Sequence, residues 1–364
     1  MMKMSFEEWK PFAAMVVIDF AFAVVNILLK KVLQDGMNPS VLITYRLAVS
    51  CVFLAPIAFF WERNGRPKLT LKILCYLFLS ALLGSSLTQY FYLLGIQDTS
   101  ATFACAFINM VPVVTFIMAL PFRLETVNIK CNGGRAKILG TLVCIGGALL
   151  LTMYKGEPLF NYSRSEPETA RHMVSAQRNN RERWTTGVIA LIVGTLLWSS
   201  WFLLQSKIGK KYPCQYSSTA IMTFFGAIQS AVLSLSTTQK LSMWVLKGNM
   251  QILTVLFSGA VGSGMCFVGL SWCVKKKGPV FTASFSPLVQ TMAAMIEIPF
   301  LHEPLHLGSL MGSILVMVGL YILLWGKSME TLNQNQETVT KLYQEDGEIM
   351  GQEPQTQRII VSKD

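Results

Sequence analysis

Charged residues are scarce in this chain. Only 14% of its 364 residues are Asp, Glu, Lys or Arg, whereas 52% are apolar and the mean hydropathy is +0.46. A typical soluble domain carries roughly 25% charged residues, so this composition excludes a soluble globule and indicates a polytopic membrane protein. The net charge of +11 does not indicate nucleic-acid binding, because the basic residues lie mainly between apolar runs, where they orient helices in a bilayer.

The chain is also poor in patterns that bind metals or form disulfides. It has three His, and its eight Cys include no CxxC pair. The Cys residues in or beside apolar runs are Cys51, Cys75, Cys105, Cys144, Cys266 and Cys273. This excludes a disulfide framework and a structural zinc site. His302 to His306 spells HExxH, but Pro304 would break the helix that a zinc protease needs. We therefore predict no metal, no cofactor and no enzymatic activity.

Long apolar runs fill most of the chain. A segment that crosses lipid must satisfy its own backbone groups, so these runs are predicted to be helices. Their approximate ranges are 12–30, 40–61, 73–96, 99–122, 136–154, 185–205, 217–237, 251–273, 279–300 and 306–326. The predicted fold class is an all-α integral membrane protein with ten transmembrane helices.

The sequence repeats itself at a spacing of 178 residues. The matched positions are Phe103, Phe107, Val111, Pro121, Phe122 and Glu125 with Phe281, Phe285, Val289, Pro299, Phe300 and Glu303. Asn109 aligns with Pro287, and Pro112 aligns with Gln290, so each copy has one helix breaker and one amide at the same two positions. Upstream, Ser80, Gly84 and Ser85 match Ser258, Gly262 and Ser263.

The repeat divides the chain into two EamA-like halves of five helices each, as the resemblance described below implies. They span residues 11–154 and 185–326, with a polar loop at 155–184 and a disordered tail at 327–364. Because five is odd, the second half must enter the membrane from the opposite side. Inverted repeats of this kind build secondary transporters, whose site lies near mid-membrane between the halves.

The distribution of Lys and Arg predicts the orientation. Segments on the side of the N-terminus and the tail carry about twice as many of them as the opposite side, so both termini are predicted to be cytosolic. Asn161 begins an Asn-Tyr-Ser glycosylation sequon in loop 155–184, and a sequon must face the lumen or the exterior. The two observations agree.

Uncharged polar residues inside the apolar runs are the candidate substrate-binding groups. They are Asn26, Gln89, Tyr90, Asn109, Trp201, Gln205 and Gln290. Amides both donate and accept hydrogen bonds, so they suit a zwitterionic solute. Hydrogen bonding between helices is the alternative role for about half of them. Pro112 and Pro287 are the predicted helix breaks.

Four charged residues fall inside apolar runs or at their ends, where a charge usually faces protein or water. Asp19 lies deepest and could bind a proton or an ammonium group of the substrate. Arg46 could bind a carboxylate bidentately. An internal salt bridge between Asp19 and Arg46 is the alternative. Lys30 is close to a helix end, and Glu297 is placed at the membrane interface.

Several stretches together resemble the plant nodulin-like, walls-are-thin-related transporters, also called the "usually multiple acids move in and out" family. They are NILLKKVLQDGMNPSVLITYR, WFLLQSKIGKKYP, GPVFTASFSPLVQ and PFLHEPLHLGSLMGSILVMVGLY. The resemblance covers about residues 10–327, and Asn109 to Pro112 is similar to the family's Asn-x-x-Pro element. It implies two EamA repeats and membership of the drug/metabolite transporter superfamily. Characterised members move amino acids, and some move auxin, across the plasma membrane or tonoplast.

We therefore expect a secondary or facilitative transporter of small organic solutes. The resemblance implies amino acids as the first candidate, with auxin or another small metabolite as the alternative, and facilitated or proton-linked export. A channel or a receptor-like membrane protein is the alternative of a different class. The expected partners are the solute, the lipid bilayer and, as a candidate coupling ion, the proton. The plasma membrane is the first expected location and the vacuolar membrane the second, while the oligomeric state is left open.

Overall fold

The structure is a computed structural model, which describes residues 6–63, 65–99, 101–124, 131–153, 177–237, 244–246, 248–301, 311–312 and 314–329. The helices are α1 (Phe6–Gln34), α2 (Pro39–Glu62), α3 (Leu71–Ala81), α4 (Thr88–Asp98), α5 (Ala101–Ala119), α6 (Asn132–Met153), α7 (Gln177–Lys211), α8 (Gln215–Thr237), α9 (Asn249–Phe257), α10 (Phe267–Lys277), α11 (Pro279–Ala283), α12 (Ser286–Leu301) and α13 (Ile314–Met329). Two π-helical segments, Leu82–Leu87 and Ser258–Cys266, join α3 to α4 and α9 to α10.

Six helices within the described residues are long and apolar enough to cross a membrane. Their ranges are Trp9–Leu33, Pro39–Glu62, Leu71–Asp98, Arg183–Lys211, Gln215–Ser236 and Asn249–Lys277. Two shorter apolar helices, Phe107–Ala119 and Ile314–Met329, lie in the remaining runs. The chain is therefore an all-helical integral membrane protein.

The second helix of each half starts directly after a short loop, and each start is capped. Asn38 caps α2, since its Oδ1 accepts hydrogen bonds from the amides of Ser40 at 3.0 Å and Val41 at 3.4 Å. The start of α8 is capped from a distance. The carboxylate of Glu62, at the end of α2, accepts hydrogen bonds from the amides of Tyr216 at 3.0 Å and Ser217 at 2.7 Å. A carboxylate at a helix N-terminus is favourable, so Glu62 fastens α2 to α8.

The π-helical segments place glycines where a helix of the other half comes close. A Cβ on Gly84 would collide with the indole ring of Trp201 on α7. At Gly262, 178 residues later, a Cβ would lie 3.2 Å from Cγ1 of Val25 on α1. Because α1 and α7 each cross one of these segments, the small residues permit close helix packing at both places.

The packing of α1 and α7 establishes a second spacing. A Cβ on Gly269 would touch Ile18 of α1, and a Cβ on Gly194 of α7 would lie 3.6 Å from Phe91. Since Phe91 and Gly269 are 178 residues apart, Ile18 corresponds to Gly194 at a spacing of 176. Val25 and Trp201 have the same spacing. The first residues of α2 and α8, Pro39 and Gln215, also differ by 176.

The two predicted helix breaks differ. The chain breaks at Ser284 and Phe285, between α11 and α12, so Pro287 lies in the first turn of α12, where proline is tolerated. In contrast, α5 continues through Pro112. Hydroxyls of Thr195 and Ser199 on α7 lie 3.5 Å from the carbonyls of Phe107 and Val111 and donate to them. Such donors help a proline-containing helix remain continuous in a membrane.

Candidate functional site

A cavity of about 350 Å³ lies at the centre of the bundle. It is enclosed by α1, α2, α4 and α5 of the first half and by α7, the second π-helical segment, α10, α11 and α12 of the second half. Most of the wall is apolar, with Phe22, Trp198 and Phe267 among its aromatic members. Its polar members are Asp19, Asn26, Arg46, Thr88, Gln89, Tyr92, Thr282, Ser286 and Gln290. A mostly apolar wall with a few convergent polar groups is typical of a small-molecule site.

Matched residues of the two halves line this cavity together. The matched pairs that both lie in its wall are Phe22 and Trp198, Asn26 and Phe202, Gln89 and Phe267, Tyr92 and Leu270, and Ile108 and Ser286. The first two pairs have the 176-residue spacing, and the other three have the 178-residue spacing. The cavity therefore lies between equivalent faces of the two halves.

Two oppositely charged side chains line the cavity from different helices. Asp19 is 2% exposed, and its Oδ2 has no hydrogen-bond partner. Arg46 is partly buried, and its Nε has no partner either. No ion pair joins Asp19 to Arg46 among the residues that the structure describes; the pair seen there is Arg183 with Asp98, at 3.6 Å. Burying a charge without a partner is unfavourable, so this cavity can accept a ligand with complementary charges.

The amides around these charges have different surroundings. Asn26 and Gln89 line the cavity, as does Gln290, whose Nε2 donates to the carbonyl of Cys105 at 3.4 Å. The hydroxyl of Tyr92 forms a hydrogen bond of 3.2 Å with that of Thr195 on α7. The wall thus offers donors and acceptors from both halves.

Four predicted site residues are not among the described residues that line the cavity. Trp201 is fully buried and stacks on Trp198 with ring centroids 4.8 Å apart, so it supports the wall from behind. Asn109 is 3% exposed, and its Oδ1 has no partner. Gln205 forms a hydrogen bond with Ser271, and Tyr90 is partly buried on another face of α4.

Sequence reasoning missed Tyr92, Trp198, Thr282 and Ser286, which all line the cavity. The repeat could have indicated Trp198 and Ser286, because each is matched to a lining residue of the first half. Asn161 and the HExxH residues 302–306 lie outside the described residues, as do most of loop 155–184 and most of the tail.

Comparison with known proteins identifies the family. The model of the EamA-like transporter family matches residues 10–153 and 185–325. The WAT1-related protein At3g30340 of Arabidopsis thaliana is 52% identical over 91% of this chain and 90% of its own length. The WAT1-related protein At4g01440 of the same plant is 50% identical over 88% of this chain and 87% of its own length.

A solved crystal structure of a protein with 12% sequence identity superposes with a TM-score of 0.60, covering 85% of this chain and 97% of that chain. It shows that the fold recurs. The resemblance to the plant nodulin-like transporters is confirmed by the two plant relatives and by the family match. The chain therefore belongs to the EamA-like transporter family, in its plant WAT1-related branch, and is a multi-pass membrane transporter of small solutes rather than an enzyme.

Proposed function

We propose that this protein carries small zwitterionic solutes, with amino acids as the first class, across the membrane by alternating access. The observation that carries the proposal is the pair of unpaired opposite charges, Asp19 and Arg46, in one central cavity. An amino acid presents one ammonium and one carboxylate group. Asp19 would bind the ammonium group, and the guanidinium of Arg46 would bind the carboxylate through two parallel hydrogen bonds.

The amides complete the proposed site. Asn26, Gln89 and Gln290 can each donate and accept, so they can orient either end of a zwitterion. The volume of about 350 Å³ is at the small end of the range for small-molecule sites, roughly 300–1,000 Å³. It therefore favours a solute of amino-acid size over a larger metabolite.

The proposed architecture is ten transmembrane helices in two inverted five-helix repeats, residues 11–154 and 185–326. Two structural features support it. The π-helical segments Leu82–Leu87 and Ser258–Cys266 occupy matched positions, and α1 crosses one of them as α7 crosses the other. Matched residues also line a common cavity, as expected when two related halves share a site at mid-membrane.

The cavity extends towards one face of the bundle. Its wall reaches Leu33 at the end of α1, Pro39 at the start of α2 and Ile96 at the end of α4. Towards the opposite face, where α1 begins and which we call the N-terminal face, a buried apolar cluster that includes Met15, Phe281 and Phe285 fills the space. With both termini cytosolic, as we propose, the cavity extends towards the exterior or the vacuolar lumen. The plasma membrane is the first proposed location.

Radiotracer counterflow in oocytes tests this function. Labelled amino acids and labelled auxin would be offered at two external pH values, with water-injected oocytes as the control. We expect saturable uptake of an amino acid that is accelerated by unlabelled amino acid on the opposite side. Flux without counterflow would favour a channel, and transport restricted to auxin would favour the solute with only a carboxylate.

A further inference from the structure

The open side of the cavity has a matched counterpart on its closed side. Leu29 on α1 and Leu93 on α4 line the cavity on the side that extends away from the N-terminal face. Their matched residues are Gln205 on α7, at the 176-residue spacing, and Ser271 on α10, at the 178-residue spacing. Here Nε2 of Gln205 donates a hydrogen bond of 2.7 Å to Oγ of Ser271. Residues that stand apart on one side are therefore joined on the other.

This hydrogen-bonded pair lies deep inside the protein near the N-terminal face. Gln205 is 4% exposed and Ser271 is 2% exposed. Both residues lie near the ends of their helices, and the Sγ of Cys273, two residues beyond Ser271, lies 3.9 Å from the carbonyl of Pro11 in α1. The pair thus lies between the central cavity and the N-terminal face.

Further polar contacts extend the pair to the first half. Oγ of Ser80 on α3 donates to Oε1 of Gln205 at 3.4 Å. The same hydroxyl lies 3.3 Å from Sδ of Met222 on α8. Met222 is 1% exposed and matches Arg46 at the 176-residue spacing. The cluster therefore joins α3 of the first half to α7, α8 and α10 of the second.

Because leucines fill the matched positions, polar groups are not required there for packing. An amide and a hydroxyl can exchange their mutual hydrogen bond for bonds to water with little net change in free energy. Leucines exposed in the same way would lose the stabilisation of burial.

We propose that Gln205 and Ser271 form the gate that closes the path from the central cavity to the N-terminal face, and that they line this path when it opens. The proposal rests on the alternating-access mechanism proposed above. In the alternative state, the repeat relationship exchanges the two sides. Leu29 and Leu93 then close together, while Gln205 and Ser271 separate and become hydrated.

Accessibility to a membrane-impermeant thiol reagent tests the gate. Ser271→Cys would be introduced into the full chain, and a charged methanethiosulfonate would be applied to inside-out and right-side-out vesicles. Peptide mass spectrometry would locate the labelled residue, so the native cysteines can remain. Ser199→Cys is the matched control, because Ser199 is also fully buried and donates to the carbonyl of Val111 within the packing of α7 on α5.

We expect Cys at position 271 to be labelled only from the N-terminal face and Cys at position 199 to be labelled from neither face. Protection of position 271 from both faces in vesicles that transport would overturn the gate, as would labelling from the opposite face alone. Uptake of a labelled amino-acid mixture is measured in the same vesicles. Labelling from the N-terminal face without such uptake would keep the gate and overturn the proposed amino-acid substrate.

A second variant tests the role of hydration. Gln205→Leu in the Ser271→Cys background keeps the side-chain size but removes the polar groups. We expect labelling at position 271 to become roughly tenfold slower, because the open gate would expose an apolar side chain to water. Labelling that is equally fast or faster would show that Gln205 only packs between helices and would overturn its assignment to the gate.

Discussion

Asp19 on α1 and Arg46 on α2 line the same cavity, yet no ion pair joins them in the described part of the chain. An internal salt bridge would have left little reason for these charges to face a cavity. Because both side chains keep an unpartnered buried atom, the arrangement favours a ligand or a proton as the missing partner.

The first prediction concerns Asp19→Asn, which keeps the shape of the side chain and removes its titration. If Asp19 couples transport to protons, the variant should still exchange labelled for unlabelled amino acid but lose the pH dependence of net uptake. Uptake and exchange at two external pH values measure both quantities. Reduced surface abundance with an unchanged pH response would instead assign Asp19 a structural role, and wild-type transport that is independent of pH would exclude the coupling.

The second prediction separates two amides that the sequence alone treats alike. Gln290 lines the cavity, whereas Asn109 is buried outside its described wall. We expect Gln290→Ala to raise the KM for the transported solute about threefold to tenfold at nearly normal surface abundance, as for the loss of one hydrogen bond. Asn109→Ala should mainly lower abundance or thermal stability. Uptake kinetics with surface biotinylation distinguish the two, and an unchanged KM for Gln290→Ala would remove it from the site.

Much of this fold could be predicted from the sequence, because lipid makes the signal strong. Apolar runs mark the helices, and basic residues mark the segments between them. The π-helical segments could not be predicted. They occur where Gly84 and Gly262 meet α7 and α1, and a contact between distant segments leaves only isolated small residues in the local sequence.

The candidate site could be predicted in part. Asp19, Asn26, Arg46, Gln89 and Gln290 all lie in the cavity wall, because polar groups in an apolar run are expected to face away from lipid.

Tyr90 and Tyr92 show the limit of this reasoning. Two residues apart on a helix, they point to nearly opposite sides, and only Tyr92 of the two lines the cavity. The run has apolar residues on the lipid side and on the core side alike, so its sequence does not reveal which face is inside.

The third prediction uses two adjacent glycines of α6 as a matched pair. A Cβ on Gly147 would lie 2.8 Å from the backbone nitrogen of Val316 on α13, whereas a Cβ on Gly146 would meet only Leu315, at 4.0 Å. Gly147→Ala should therefore destabilise the protein by about 1–3 kcal/mol, as overpacking does. Gly146→Ala should be neutral or slightly stabilising, because alanine favours a helix. Thermal unfolding in detergent compares them, and equal midpoints would contradict close packing of α6 on α13.

The fourth prediction concerns the orientation in the membrane. A cysteine placed at Ser175, in loop 155–184, should react with an impermeant reagent added outside intact cells if the protein lies in the plasma membrane. The same cells should show glycosylation at Asn161 that is lost in Asn161→Gln. Reaction only after permeabilisation would show that the proposed orientation is inverted, provided that surface biotinylation places the protein at the plasma membrane.

The last prediction uses Arg46 to identify the solute class. Three competitors of amino-acid uptake separate the charges: a free amino acid carries both, its methyl ester carries only the ammonium group, and the auxin indole-3-acetate carries only the carboxylate. If Arg46 binds the carboxylate, Arg46→Gln should weaken the first and third about tenfold or more, as for a lost charge-assisted hydrogen bond, and leave the methyl ester unchanged.

Arg46→Lys should fall between the wild type and Arg46→Gln, because lysine keeps the charge but lacks the planar fork of donors. Asp19→Asn should give the complementary result, weakening the amino acid and its methyl ester while leaving indole-3-acetate unchanged. Equal weakening of all three competitors by Arg46→Gln would mean that Arg46 supports the fold and does not bind the solute. Dependence on Arg46 without dependence on Asp19 would favour a carboxylate-only solute such as auxin, because a zwitterion presents a charge to each of the two residues.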